Sequence, residues 1–150
     1  MSTRMSDEER EEFLAGLHVG VLSLEQAGRG PLTVPVWYAY QPGGEVQVIT
    51  ESTSRKGKLV AEGRRISLCV QDERPPYKYV SVEGPIVRIE RADVERHQRP
   101  LAHRYLGRKG GDRYIESATG GSADDTAILI HMHPERWLSA DYSKEDVGLG

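Results

Sequence analysis

Cysteine is nearly missing: Cys69 is the only one in 150 residues. No disulfide can form within the chain, which suits a reducing compartment. Cys69 lies inside Ile66-Ser67-Leu68-Cys69-Val70, so a small buried hydrophobe is expected there rather than a reactive thiol. Long apolar runs are missing too, and no segment approaches the length of a membrane span. The first residues, Met1 to Phe13, are acidic and lack a signal-peptide apolar core, so a cytoplasmic location is the expectation. There is no excess of positive charge. Lys and Arg number 20 against 23 Asp and Glu, a net charge of −3, which argues against a general nucleic-acid binder.

Recognisable catalytic groupings are scarce. The serines lie in loops without a nucleophile-elbow context, so no Ser-His-Asp arrangement is legible. No carboxylates sit at a spacing that defines an acid/base pair. His131 and His133 share one face of a strand, but no Cys, Asp or Glu cluster joins them at metal-ligand spacing. Core or interface histidines are the expected reading, with no metal site. His18, His97 and His103 are scattered, and Asp124-Asp125 reads as the end of a loop.

What is present organises as one domain over residues 1–150, with a core of about 7–140 and a polar tail, 141–150. Ser6 and Glu9 have capping-box spacing, and Phe13, Leu14 and Leu17 fall on one face of a helix over about Asp7–Gly16. His18–Leu24, Leu32–Tyr40 and Glu45–Thr50 read as three antiparallel strands of a meander, joined by turns at Gly28–Pro31 and Pro42–Gly44. A short helical run, Lys58–Glu62, ends at Gly63. Strands follow at Ile66–Gln71 and Lys78–Glu83; Gly84-Pro85 interrupts, and Ile86–Glu90 continues. Ala92–Ile115 is helical, broken or kinked at Pro100, with a second piece over Pro100–Leu106 stopping at Gly107. Gly110-Gly111 and Gly120-Gly121-Ser122 mark a mobile connection, Thr126–His133 is a late apolar strand, and Pro134–Ala140 leads out of it. The sum is mainly β (α+β): a small barrel of five or six short strands with helices at its ends.

Three segments carry possible chemistry. Arg55, Lys56, Lys58, Arg64 and Arg65 crowd the stretch that also holds Ser52, Thr53 and Ser54. Hydroxyls and cations where a strand meets a helix suit a phosphate, and an exposed basic loop is the competing reading. Pro35 inside Pro35-Val36-Trp37-Tyr38 removes a ladder donor, which predicts an edge or a bulge where a flat ring can approach backbone. A plain edge with Trp37 and Tyr38 in the core is the alternative. Pro75-Pro76-Tyr77-Lys78-Tyr79 sets two aromatic rings and a cation beside a turn, either lining a pocket or packing.

In this order, the segments HVGVLSLE, PLTVPVWYAY, VQVITESTSRKGKLVAEGRRISLCV, YVSVEGPIVRI and HPERW make the chain resemble the pyridoxamine-5′-phosphate-oxidase-like, flavin-binding split β-barrel superfamily over about residues 7–140. The resemblance implies a split β-barrel of about six antiparallel strands and a homodimer with cofactor sites between subunits. It places a cofactor ring on Val34, Pro35 and Val36, and its phosphate at Thr50, Ser54, Arg55, Lys56 and Lys58; Tyr79 completes the expected set. Short length and an Arg/Gly-rich style look like the branch that uses the deazaflavin coenzyme F-420 to reduce electron-poor small molecules. FMN in the same fold is the alternative. A third reading is a non-catalytic flavin or haem binder with His131 on the iron. True pyridoxamine phosphate oxidases carry a C-terminal segment with substrate-phosphate ligands; the ending KEDVGLG does not resemble it, so that exact activity is not expected. Lys58 stands where the family usually has Asn, a cation suited to a longer anionic tail such as polyglutamate. No catalytic residue is assigned, because hydride transfer is the cofactor's own chemistry.

Overall fold

A computed structural model describes residues 2–119 and 126–145. Helix α1, Asp7–Ala15, begins where the capping box predicts: the Ser6 hydroxyl accepts from the Glu9 N–H, and the Glu9 carboxylate accepts from the Ser6 N–H. Seven strands follow: β1 (Gly20–Leu24), β2 (Leu32–Val36), β3 (Val46–Glu51), β4 (Arg65–Asp72), β5 (Lys78–Arg91), β6 (Ala127–Met132) and β7 (Arg136–Asp141). Helix α2, Arg99–Thr119, lies between β5 and β6 and is preceded by a π-helical turn, Val94–Gln98. Among the described residues, no helix is long and apolar enough to cross a membrane.

The strands form one curled antiparallel sheet in the order β2-β1-β4-β5-β6-β3, with β7 also on β5. The curl is closed by a short bridge. Beyond β2 the chain reaches Ala39, whose N–H and carbonyl both bond to Gln47 of β3, at 3.0 and 2.9 Å. This is a split β-barrel: two sheet edges that meet at one pair and gape elsewhere. The interior follows from alternation. Leu22, Leu68 and Val82 lie opposite one another across β1, β4 and β5, and Val46, Met132 and Ile86 across β3, β6 and β5; all six are essentially inaccessible.

Several expectations change. β3 is not the third strand of a meander; it leaves β2 and pairs with β6 along its whole length. The first three strands therefore contribute one hairpin, β1–β2. The expected helical run at Lys58–Glu62 is a single 3-10 turn, Gly57–Leu59, too short to supply a helix terminus with an appreciable dipole. Gly84-Pro85 does not interrupt β5, which runs for 14 residues. A Cβ at Gly84 would lie 1.7 Å from the His133 carbonyl oxygen, so glycine is required there for close backbone approach. The segment expected merely to lead out of the late strand is β7. With β6 it follows the same edge of β5, broken only at residues 133–135 opposite Gly84.

Pro100 sits in the first turn of α2, where proline is tolerated, and the break comes at Gly107, with φ 76°. Two arms, 99–106 and 108–119, result. Gly110 and Gly111 belong to the second arm instead of a mobile connection; a Cβ at Gly111 would lie 2.8 Å from the His103 backbone nitrogen, so the arms cross closely here. Cys69 is only half-buried, on the outer face between Val21 of β1 and Ser81 of β5, and burial pushes its thiol up. Gly120–Asp125 and the tail beyond Glu145 lie outside the described residues.

Candidate functional site

A cleft of about 470 Å³ opens beside the β2 edge, within the range of cofactor pockets. Pro35, Val36 and Trp37 form one wall, Ile49, Thr50 and Glu51 of β3 with Ala127 of β6 another, and Leu101, Tyr114, Ile115 and Ala118 of α2 a third. Val19, Ser54, Lys56 and Gln98 complete the lining.

The edge wall follows from the proline. β2 pairs only with β1, in unbroken register, so Pro35 faces no lost partner and no bulge is needed. Val36 is 7% exposed and packs with the barrel core, whereas Pro35 is exposed. A ring on this edge would therefore meet the Val36 backbone, since alternation turns the Val36 side chain inward. Val34 also packs against the core.

Trp37 and Tyr38 divide the two roles that the sequence left open. Tyr38 is fully buried, and its hydroxyl donates to the Leu14 carbonyl at 2.6 Å, holding the end of α1. Burial pushes its phenol well above the ordinary value. Trp37 faces the cleft, stacked on Tyr105 at 5.0 Å and 6° and touching Tyr114 at 5.1 Å and 53°. The Tyr105 hydroxyl donates to His18 O and accepts from Tyr38 N, while Arg104 reaches the carbonyls of Ala15 and Gly16. These contacts moor the first arm of α2. The second arm is latched by Asp112, which accepts from His103 at 2.6 Å and Arg99 at 2.9 Å. Those two contacts, His103 first, hold the Asp112 carboxyl below its ordinary value.

The basic junction separates into inner and outer groups. Lys56 lines the cleft and has no ion pair among the described residues. Arg55 and Lys58 are exposed and outside the lining; Arg55 bonds to Gln26 Oε1 at 2.9 Å. The Ser54 hydroxyl donates to Glu51 O and accepts from the Gly57 N–H, with Thr50 Oγ1 at 3.2 Å. Ser54 therefore braces the loop and leaves its neighbours to meet a ligand. Glu51 is engaged by the Thr126 hydroxyl. Tyr79 lies on the outer face of β5, opposite Gln71 and Ala140, away from the lining.

His131 is 5% exposed, with Nε2 on Glu90 at 2.7 Å and Nδ1 facing Glu45 at 3.5 Å. Nε2 is committed to Glu90, whereas Nδ1 is buried and makes no hydrogen bond among the described residues. His133 is exposed, and no group suited to a metal occurs among the described residues. The sequence reading reached Pro35, Val36, Thr50, Ser54 and Lys56 of the lining but missed the α2 wall. Its one available signal was Tyr105 and Tyr114 flanking three glycines.

Residues 6–140 match the family described as pyridoxamine 5′-phosphate oxidase. No curated protein matches the chain. Among solved structures, a conserved hypothetical protein from Mycobacterium tuberculosis is similar with a TM-score of 0.72 at 21% identity, over 99% of this chain and 91% of that one. An F-420 reductase gives 0.56 at 16%, over 85% and 94%. An FAD and heme binding protein from Mycobacterium smegmatis gives 0.63 at 14%, over 92% and 72%. At these identities the likeness is one of fold.

Proposed function

The chain belongs to the pyridoxamine 5′-phosphate oxidase family, and from that premise we propose that it is an oxidoreductase passing hydride from reduced coenzyme F-420 to an electron-poor small organic acceptor, with FMN as the alternative cofactor. The observation that carries this reading is Lys56: an ammonium without an ion-pair partner among the described residues, in a cleft whose other walls are mostly apolar. That pairing suits a ligand with a flat ring and an anionic end. Lys56 and the Thr50 hydroxyl would hold the phosphate, while the Pro35–Val36 edge would face the ring. Arg55 and Lys58 at the rim suit an anionic tail longer than one phosphate, which favours F-420 over FMN. When bound, the cofactor supplies the hydride chemistry; the walls supply orientation and exclude water.

Titration of the apo-protein with F-420 and with FMN, followed by absorbance, tests both choices. Lys56→Ala should raise the Kd about tenfold or more, as loss of a charge-assisted contact does, and Lys58→Ala should weaken F-420 more than FMN. An unchanged Kd for Lys56→Ala would sink the phosphate assignment.

The same family reading includes a homodimer. The apolar strand β6 is already buried inside one chain and offers no surface for it. A different row is open instead: Pro35, Val21, Cys69, Ser81 and Leu138 lie opposite one another across β2, β1, β4, β5 and β7, with Leu138 63% and Val21 42% exposed. Pro35 joins this row to the cleft, so a second copy seated there would reach the cofactor, and Tyr79 would lie in the contact. A monomeric mass by light scattering, with cofactor bound, would overturn the dimer.

A further inference from the structure

The cofactor reading leaves one wall of the cleft without a task. The α2 wall presents Leu101, Ile115 and Ala118, with Tyr114 beside Trp37. Two tyrosines touch Trp37, and they differ. Tyr105 lies parallel to the indole, and its hydroxyl is spent on His18 and Tyr38. Tyr114 is tilted by 53°, 47% exposed, and its hydroxyl has no hydrogen bond among the described residues. Tyr114 thus adds a half-open aromatic ring and an unbonded phenol to a cleft lining that also presents Leu101, Ile115 and Ala118. The position is fixed from behind, because Asp112, two residues earlier, is clamped by His103 and Arg99.

Resting on the cofactor reading above, we propose that Tyr114 is a specificity-determining residue that selects a flat, largely apolar ring as the hydride acceptor. The acceptor ring packs on the Tyr114–Trp37 surface, in the offset or tilted geometries that aromatic pairs prefer. The phenol donates a hydrogen bond to a carbonyl oxygen at the ring's edge. A bound reduced cofactor would supply the hydride and water the proton that completes the reduced product, so Tyr114 would only position the acceptor. A puckered aliphatic acceptor would leave both aromatic faces uncovered and gain little from this wall.

The test uses cofactor-loaded protein carrying Trp137→Phe, which leaves Trp37 as the sole tryptophan. The probe is 2,3-dimethyl-1,4-naphthoquinone, whose substituted ring resists thiol addition; isophorone is the puckered comparison. Saturable quenching of Trp37 emission gives the quinone Kd, and calorimetry gives that of isophorone. Tyr114→Ala should raise the quinone Kd about tenfold, and Tyr114→Phe about two- to threefold, the sizes expected for a lost aromatic contact and a lost neutral hydrogen bond. Isophorone binding should change less than about twofold, and the cofactor Kd not at all. Absence of saturable quenching, an unchanged quinone Kd in Tyr114→Ala, or an equal loss for isophorone overturns the proposal. A cofactor Kd that rises as much as the quinone Kd also overturns it, by assigning Tyr114 to the cofactor. The cofactor reading is judged separately, by Lys56→Ala.

Discussion

The barrel and helix α2 are held in opposite ways. Barrel strands are tied by main-chain ladders around one large apolar cluster, with a smaller one at Ala92, Ala127 and Leu129. Ala102 and Ile115 of α2 are buried but stand outside that cluster; the first arm is further moored by Arg104, Tyr105 and the Trp37 stack, and the second by Asp112. A ladder distributes its bonds over many residues, so single side-chain changes there act through packing. A helix moored by a few side chains is sensitive to each of them, and here that helix is a wall of the cleft. Scaffold and site can therefore be damaged separately, and the damage should sort by region.

Gly84→Ala should show the largest effect. Its Cβ would overlap the His133 carbonyl, which is backbone and cannot swing aside. A loss of about 3 kcal/mol or more is expected from such a clash, read as a collapse of Tm or failure to fold. A variant with wild-type Tm would show that the β5–β6–β7 edge yields more readily than described. Tyr38→Phe comes next, because it removes a fully buried hydroxyl that ties the barrel to α1 and leaves the Leu14 carbonyl short of a donor. About 1–3 kcal/mol should be lost in denaturant unfolding, with m unchanged. A difference within error would mean that water replaces the phenol.

The smallest effect should come from the latch, and it should appear at the cleft before it appears in Tm. The Asp112 carboxyl is held below its ordinary 3.8 by His103 and then Arg99. The folded state thus favours the charged form. Its contribution is fully present above the ordinary carboxylate range and is lost as pH falls through the lowered value. Trp37 emission, measured in Trp137→Phe, should shift in that acidic window, and Asp112→Asn should show the shifted emission already at neutral pH. The same acidic transition in Asp112→Asn would assign it to another group.

The parts legible in the sequence were those whose partners lie close by. Ser6 and Glu9 signal a helix start from three residues apart, and the β1–β2 hairpin follows from one Gly-rich turn. Pro35 announced an edge because a missing donor is a property of one residue. The failures share a cause. Whether Gly84 breaks a strand or admits a carbonyl depends on His133. Whether Gly110-Gly111 is a linker or a helix crossing depends on His103. β3 was assigned to its chain neighbour, although its partner lies beyond α2. In the cleft, the strand residues were legible through a local cluster of cations and a proline. The helix wall was not, since only the fold carries Tyr114 to Trp37.

The pairing of β5 with β6 and β7 also bears on how the chain is made. Apart from the Ala39–Gln47 bridge, β3 and the outer edge of β5 find their strand partners in residues 127–141. During synthesis, both edges remain unpaired until most of the chain has left the ribosome. Long-range pairings of this kind form late and slowly, and open edges invite association with other chains in the interval. The nascent protein is thus most exposed to misassembly just before its last two strands arrive, and chaperone demand should peak there.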